Sequence, residues 1–236
     1  MFVFKKRNVI IVIALFLTAV TFILCFAALA KTEVIAAKSG VTIVLDAGHG
    51  GIDGGVKGVK TGVAESEINL SVVKKLETYL ISAGFTVVLT RSSDAGLYGV
   101  ASSTLKRRDM EKRKAIIEKA APTMVVSVHM NYYPNSSRRG GQTFYRADSE
   151  SSAVLANSMQ KSLNALYKDV KDYSPLKGDY YILNCTEYPS VIAECGFLSN
   201  PDDETLLTND EFQSELAYSL YIGIIDYLTE SSVAYF

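Results

Sequence analysis

The sequence has little of several residue types, and each scarcity excludes a class of protein. It contains no tryptophan, five prolines and sixteen glycines in 236 residues, which excludes a collagen-like or low-complexity chain. Three cysteines are too few for a disulfide-rich scaffold. A formal net charge of -1 provides no broad basic face, so no nucleic-acid partner is expected. Because only two histidines occur, His49 and His129, any imidazole chemistry must use one or both of them.

Hydrophobic residues make up 48% of the chain, enough for one well-buried core, but they are not spread evenly. Three basic residues at positions 5–7 precede a run from Val9 to Ala30 that contains no charged residue. As a helix this run would measure about 33 Å, against about 30 Å for the hydrocarbon core of a bilayer. Residues 1–30 are therefore interpreted as a signal peptide or an N-terminal membrane anchor, and cleavage after Ala28-Leu29-Ala30 is left open. The chain after Lys31 is expected outside the membrane, because basic flanks stay in the cytoplasm.

Residues 31–40 are interpreted as a linker and residues 41–230 as one domain. Removing residues 1–30 takes away three basic residues and no acidic one, which changes the formal net charge from -1 to -4. The domain then has no attraction to anionic polymers, and membrane contact is expected through the N-terminal segment only. Cys185 and Cys195 could pair in an oxidising compartment, although two unlinked, mostly buried thiols are the more ordinary expectation.

Strand-like and helical segments alternate along this domain. Apolar residues recur at four-residue steps after Glu65, a spacing that is typical of a helix. The predicted strands are 41–45, 85–90, 124–129, 143–145, 180–183 and 191–194. The predicted helices are 65–83, 105–120, 154–166 and 212–228, and Asn200 followed by Pro201 indicates the start of another. The alternation predicts an α/β fold, a three-layer sandwich with a twisted, mostly parallel six-stranded sheet and helices on both faces.

Four chemically active side chains lie at the ends of these segments: His49, Glu65, His129 and Glu194. Two neutral imidazoles and one carboxylate form a zinc-binding set with an open position for water, and a further carboxylate can serve as general base. Each residue also has a plainer interpretation. His49 fits a turn, His129 the end of a strand, and Glu65 a first-turn acid that interacts with the helix dipole. Glu194 is harder to dismiss, because a charge after an apolar strand must pair, ligate or react.

The local sequences around these residues are more specific than the residues alone. Segments 46–55, 65–70, 127–131 and 194–200 read DAGHGGIDGG, ESEINL, SVHMN and ECGFLSN, in that order. With these four blocks the chain resembles the zinc-dependent N-acetylmuramoyl-L-alanine amidases, the amidase-3 family, over residues 41 to about 228. The resemblance implies a catalytic domain with one Zn²⁺ per chain held by His49, Glu65 and His129. It implies Glu194 as the catalytic carboxylate.

The resemblance also implies a substrate and a mechanism. The substrate is peptidoglycan, and the bond cleaved is the amide that joins the lactyl group of N-acetylmuramic acid to L-alanine of the stem peptide. A zinc-activated water would attack the carbonyl carbon. Glu194 would act first as general base and then as general acid toward the leaving amine.

Several neighbouring residues have candidate supporting roles. Those that could orient the ligands are Asp46, Ser127, Asn131 and Asn200. Arg91 and Asp94 either contact substrate or form a structural ion pair. The family often has Leu-x-x-Arg before an Asn where Met110, Arg113 and Glu118 align in this sequence. That difference is expected to concern only the packing of the helix.

Two other chemistries are disfavoured by the sequence. The glycines after the first strand fit neither the dinucleotide-binding nor the Walker spacing. Cys195 and His129 could form a cysteine hydrolase. Cys195 and Glu194 are adjacent on a predicted strand, however, so their side chains should face opposite sides of the sheet.

The layout of the chain resembles the spore-cortex, germination-specific amidases of endospore-forming Gram-positive bacteria. This resemblance implies a role in cortex maturation, in which stem removal precedes muramic-δ-lactam formation by a muramic acid deacetylase. It implies a location in the intermembrane space of the forespore and an accessory lipoprotein activator. The alternatives are a vegetative amidase for cell separation or wall turnover, and a peptidoglycan-binding scaffold without turnover.

Overall fold

The computed structural model describes residues 18–21, 40–99 and 104–233. The chain divides into two units, Met1–Gly40 and Val41–Phe236. In the first unit, residues 18–21 form a helical turn; the rest of the predicted signal or anchor, and most of the predicted linker, lie outside the described residues. Within the described ranges, no helix combines the length and the apolar character needed to cross a membrane.

The second unit is built on one six-stranded sheet. Its strands are β1 (Thr42–Ala47), β2 (Thr86–Leu89), β3 (Met124–Asn131), β4 (Gln142–Tyr145), β5 (Leu176–Lys177) and β6 (Ser190–Phe197). The strand order is β2-β1-β3-β6-β4-β5, and every pair is parallel except the antiparallel pair of β4 and β6. The central strands β1 and β3 are almost entirely buried, as parallel strands covered on both faces are. The predicted α/β class with a mostly parallel sheet is confirmed.

Helices cover both faces of this sheet. They are α1 (Glu65–Ser82), α2 (Leu105–Ala120), α3 (Glu150–Leu166), α4 (Tyr181–Asn184), α5 (Pro201–Leu207) and α6 (Asp210–Val233). On one face, Val44 and Ile192 pack in a core cluster with Ile117 of α2. On the other face, Thr143 donates a hydrogen bond to the Ala156 carbonyl of α3 at 3.1 Å. Alternate side chains of each strand therefore meet different helix layers.

The helix start predicted at Asn200 is confirmed. The Asn200 side chain accepts hydrogen bonds from the backbone nitrogens of Asp202 at 2.9 Å and Asp203 at 3.0 Å. Pro201 occupies the first helical position, where its missing N–H leaves no bond unmade. This cap fixes the point at which the chain turns after β6.

The strand predicted at 180–183 is wrong. That segment forms α4, and the fifth strand is the two-residue β5 that precedes it. Ile182 and Leu183 are both buried in the same core cluster, which two adjacent residues of a regular strand cannot be. The β-type composition of this segment is overridden by packing, because strand propensity depends strongly on context.

Candidate metal centre

The four predicted site residues lie at the carboxyl edge of the sheet. His49 follows β1, His129 lies in β3, Glu194 lies in β6, and Glu65 is the first residue of α1. Strands β1, β3 and β6 are neighbours and parallel, so their carboxyl ends meet at one edge. His49, Glu65 and His129 each offer one ligand atom, and these atoms lie within 4.8 Å of one another. The structure therefore brings together the three residues predicted as ligands.

The donor atoms of these side chains lie close enough together to share one metal ion. Nε2 of His49 lies 3.3 Å from Oε2 of Glu65, and Nδ1 of His129 lies 2.8 Å from Oε1 of the same carboxylate. The two imidazole centroids are 5.0 Å apart, with their planes at 78°. Ligands at zinc bond lengths of about 2.0–2.2 Å in a tetrahedral arrangement are separated by roughly 3.4 Å. Two imidazoles and one carboxylate are also a donor set that catalytic zinc sites use.

Glu65 is held as an ionised carboxylate. It is 2% exposed, and it accepts hydrogen bonds from Asn69 Nδ2 at 3.1 Å and from the backbone nitrogen of Val56 at 3.0 Å. Burial alone would raise its pKa, but the hydrogen bonds and charges of His129 and His49 outweigh burial and hold the pKa well below its usual range. Asn69 was not predicted. Its position one helical turn after Glu65 is the sequence signal that could have identified it.

His49 is held in an unusual backbone conformation beside a second carboxylate. Its φ of 60° lies in the left-handed region, which non-glycine residues rarely adopt. Nδ1 lies 2.9 Å from Oδ2 of Asp53, within the distance of an ion pair but not aligned for a hydrogen bond. Burial lowers the pKa of His49, but Glu65 and Asp53 outweigh it and raise the pKa to about 9. Metal binding must therefore displace a proton from this imidazole.

Gly48 allows the two imidazoles to approach each other. A Cβ atom on this residue would overlap the ring of His129. The Gly48 backbone nitrogen donates to the Val128 carbonyl at 3.1 Å, which ties the loop after β1 to β3. The glycine thus lets this loop lie directly against the strand that carries the second histidine.

Glu194 lies beside the ligand cluster. Its Cα is in register with that of His129 on the neighbouring strand. Its Oε2 atom is buried and has no hydrogen-bond partner among the described residues. Burial raises the pKa of Glu194 to about 7, against the lowering effect of the His129 charge. A carboxyl group with a pKa near neutrality can both accept and donate a proton during a reaction.

Cys195 is turned away from this edge of the sheet. It is completely buried, and its Sγ lies 3.4 Å from the Ala193 carbonyl oxygen. Burial raises the pKa of the Cys195 thiol well above its usual range. Cys185 and Cys195 are both free thiols. The opposite orientation of Glu194 and Cys195 was predicted, and it removes Cys195 as a nucleophile for this site.

Two buried arginines hold the backbone that carries His49. Arg91 donates to the carbonyl oxygens of Ala47 at 2.8 Å and Gly48 at 2.9 Å. Arg113 donates to the carbonyl oxygen of His49 at 2.7 Å. Arg91 is 4% exposed, so its role is structural and it is not a substrate contact.

The residues proposed as ligand-orienting groups have other partners. Asp46 accepts from the Ser127 hydroxyl at 2.6 Å and from the Arg113 guanidinium. Asn200 caps α5, and the Asn131 side chain accepts from the backbone nitrogen of Tyr132 at 2.7 Å. These groups act on the backbone around the site, and Asn69 and Asp53 contact the ligands instead.

A cleft of about 750 Å³ opens in front of His49, His129 and Glu194. Its lining is largely apolar and aromatic, and includes Ile52, Tyr98, Met110, Tyr180 and Tyr181. His49, His129 and Glu194 line this cleft together with six other charged side chains: Asp46, Asp53, Lys106, Asp109, Arg113 and Asp179. A concave site that combines apolar surface with converging polar groups is typical of a site for a small organic substrate.

Comparison with known proteins gives matches across the same region. A family model described as N-acetylmuramoyl-L-alanine amidase matches residues 43–226. The germination-specific N-acetylmuramoyl-L-alanine amidase of Bacillus subtilis (strain 168) is 34% identical over 196 residues, 81% of this chain and 81% of that protein. The structure of the CwlD amidase from Clostridioides difficile in complex with the GerS lipoprotein has 37% identity and a TM-score of 0.76, covering 80% of this chain and 99% of that one. The catalytic domain of CwlV, an N-acetylmuramoyl-L-alanine amidase from Bacillus (Paenibacillus) polymyxa, has 29% identity and a TM-score of 0.70, with coverage of 80% and 99%.

Proposed function

Because this chain belongs to the N-acetylmuramoyl-L-alanine amidase family, we propose that His49, Glu65 and His129 hold a catalytic Zn²⁺ and that Glu194 is the catalytic carboxylate. The enzyme is a cell-wall amidase that hydrolyses the bond between N-acetylmuramic acid and L-alanine. The observation that carries the assignment of residues is the convergence of two imidazoles and a buried carboxylate beside an unpartnered glutamate.

Contacts within the chain hold the proposed ligands in position without a metal. Asn69 and the backbone nitrogen of Val56 fix the two oxygens of Glu65, and Asp53 lies against the distal nitrogen of His49. When bound, zinc lowers the pKa of a coordinated water to about 7 and stabilises negative charge on the substrate carbonyl oxygen. His49 and His129, which would hold the metal, also line the cleft that the substrate would enter.

Glu194 moves the protons of the reaction. Its buried Oε2 and its raised pKa suit a group that first accepts a proton from the attacking water. The same proton then passes to the amine of L-alanine, which must be protonated to leave. The two histidines are both used as ligands, so this duty falls to a carboxylate.

Removal of the metal is expected to abolish activity reversibly. Purified peptidoglycan is digested with the protein, with and without a chelator, and the products are analysed by mass spectrometry. We expect about one zinc per chain, a new free L-alanine amine, loss of that product with chelator and recovery with added zinc. Cleavage of a different bond would contradict the family assignment. Zinc and glycan binding without release, even with the partner lipoprotein added, would favour a scaffold.

The cellular setting is the next part of the proposal. A cell-wall amidase acts outside the cytoplasm. We place residues 1–30 as signal or membrane anchor, 31–40 as linker and 41–230 as the catalytic domain. The germination-specific relative supports a role in the spore cortex, in the intermembrane space of the forespore, ahead of a muramic acid deacetylase. The CwlD amidase of Clostridioides difficile, solved in complex with the GerS lipoprotein, supports an accessory lipoprotein as activator.

A deletion strain tests this cellular role. Spores that lack the protein are expected to contain little muramic-δ-lactam, since lactam formation needs muramic acid freed of its stem peptide. Muropeptide analysis of purified spores measures this directly, with a complemented strain as control. Normal lactam content together with chains of unseparated cells would instead indicate the vegetative role.

A further inference from the structure

A second cavity, of about 530 Å³, lies beyond Glu194 on the side away from the ligand cluster. Its lining includes Tyr133, Arg138, Gln142, Lys171 and Tyr173. Arg138 belongs to the loop after β3, Gln142 opens β4, and Lys171 precedes β5. Two cationic side chains thus converge on a cavity that the proposed chemistry leaves unused.

Arg138 lies against aromatic rings and forms no ion pair with any acidic side chain that the structure describes. Its guanidinium carbon lies 5.1 Å from the ring centroid of Tyr133, 5.3 Å from that of Phe197 and 5.6 Å from that of Tyr173. Its Nε is buried and has no hydrogen-bond partner among the described residues. The adjacent Arg139, by contrast, forms an ion pair with Asp203 at 3.0 Å. A planar guanidinium held this way is suited to bind a carboxylate of a ligand.

Lys171 adds a second positive charge to the same cavity. Its Nζ lies 5.3 Å from the ring centroid of Tyr173, which also contacts Arg138. Asp172 lines the cavity as well, and Lys171 and Asp172 are both exposed. The cavity therefore presents two cations grouped around one aromatic ring, with an acid beside them.

The loop that carries Arg138 is fixed in place from its other side. The backbone nitrogen of Tyr133 donates to Ser199 Oγ at 2.9 Å, and Asn200 Nδ2 donates to the Ser136 carbonyl. At the end of the loop, the Gly140 nitrogen donates to Asp203 at 2.8 Å. Because these anchors surround it, little ordering of the loop is needed when a ligand binds.

The order of the strands indicates the direction in which the substrate would lie along the edge of the sheet. His129, Glu194 and Gln142 lie in register on the neighbouring strands β3, β6 and β4. Neighbouring strands are about 4.8 Å apart, so the metal ligand, the catalytic carboxylate and the second cavity follow one another along the edge. If Glu194 protonates the leaving amine, the peptide that carries this amine extends past Glu194 toward Gln142 and Arg138.

We propose that this cavity binds the stem peptide through a carboxylate near its N-terminus, with Arg138 and Lys171 as the recognising cations. This inference rests on the proposed function, because the direction of the substrate depends on Glu194. The ligand class is an acidic peptide. The glycan then occupies the larger cleft on the side of His49.

Two substrates and three variants test the proposal with zinc-loaded protein. The substrates are a muramoyl peptide whose second residue is γ-linked glutamate with a free α-carboxylate, and the same peptide with that carboxylate amidated. The variants are Arg138→Gln, Lys171→Gln and, as the matched control, Lys168→Gln, an exposed lysine outside the cavity lining. We expect Arg138→Gln and Lys171→Gln to raise KM for the acidic substrate about tenfold with kcat unchanged, since a hydrogen bond to a charged group has this strength. The amidated substrate should be unaffected by either variant.

A binding measurement separates this inference from the proposed function. The free dipeptide L-alanyl-γ-D-glutamate is titrated calorimetrically into metal-free wild-type protein and into each variant. Binding that weakens about tenfold in Arg138→Gln and Lys171→Gln, and not in Lys168→Gln, supports the proposal. Equal affinity in all four proteins, or equal KM changes for the two substrates, would overturn it. If the wild type is active but gives either of these two results, the stem-peptide proposal fails and the amidase function stands. If the wild type binds the dipeptide but is inactive, the amidase function fails and the dipeptide site stands.

Discussion

Replacing Glu194 by glutamine is expected to lower stem release by about 10³-fold while zinc stays bound, because general acid–base catalysis contributes about 10²–10⁴-fold. Glutamine keeps the shape of the side chain and removes its ability to take up and return a proton. Glu194 lies outside the cluster of His49, Glu65 and His129, so the ligands should be unaffected. The measurement is single-turnover release of the L-alanine amine, paired with metal analysis of the same preparation.

The control for this variant is Glu211→Gln, an exposed glutamate in the first turn of α6. It removes the same charge far from the cleft and should leave both rate and zinc content unchanged. Full zinc content with a wild-type rate in Glu194→Gln would show that another group handles the protons. Loss of zinc in this variant would instead identify Glu194 as a ligand.

Replacing Arg113 by methionine is expected to lower the free energy of unfolding by about 3–5 kcal/mol, since breaking a buried ion pair leaves a charge without a partner. Arg113 is completely buried and forms ion pairs with Asp46 and, at 2.6 Å, with Asp109. Burial alone would raise the pKa of Asp46, but the Arg113 charge and two hydroxyl groups lower it to about 2. The variant leaves both carboxylates buried and releases the carbonyl of His49. The change in the free energy of unfolding is measured by chemical denaturation of the metal-free protein, monitored by circular dichroism.

Two further variants show whether unpaired charge is the cause. Arg107→Met removes an arginine from the same helix that is 80% exposed and pairs with the exposed Glu111. It should change the free energy of unfolding by no more than about 0.5 kcal/mol. Adding Asp46→Asn and Asp109→Asn to Arg113→Met should recover part of the lost stability, because these two side chains then carry no unpaired buried charge. A small effect of Arg113→Met alone would mean that water reaches these carboxylates.

Much of the site could be predicted because its chemistry depends on rare residue types in recognisable segments. His49, Glu65, His129 and Glu194 were identified from four sequence blocks, and three of them meet in one cluster. The cap at Asn200 was predictable because a helix start is a local feature. Asn69 could also have been predicted from a local feature, because it lies one helical turn after Glu65 on the same helix.

Other features could not be read from the sequence because they depend on contacts between distant segments. The segment 180–183 has strand-forming residues, yet Ile182 and Leu183 pack together as a helix in the core. The partner of Asp46 is 67 positions away on α2, so its role as a support for the His49 backbone follows only from the fold. Arg138 and Lys171 have no sequence signal in common, and only the order of the strands brings them to one cavity.

The sequence by itself determined the fold class and the residue types available for chemistry, and it led to the prediction that both histidines share one site. These properties depend on composition, periodicity and short motifs, which are local along the chain. The tertiary structure alone decided that β1, β3 and β6 are neighbours, and thereby which side chains surround the cluster of His49, Glu65 and His129. The reason is that strand pairing depends on how the whole sheet packs. Residues far apart in sequence contribute to that packing together.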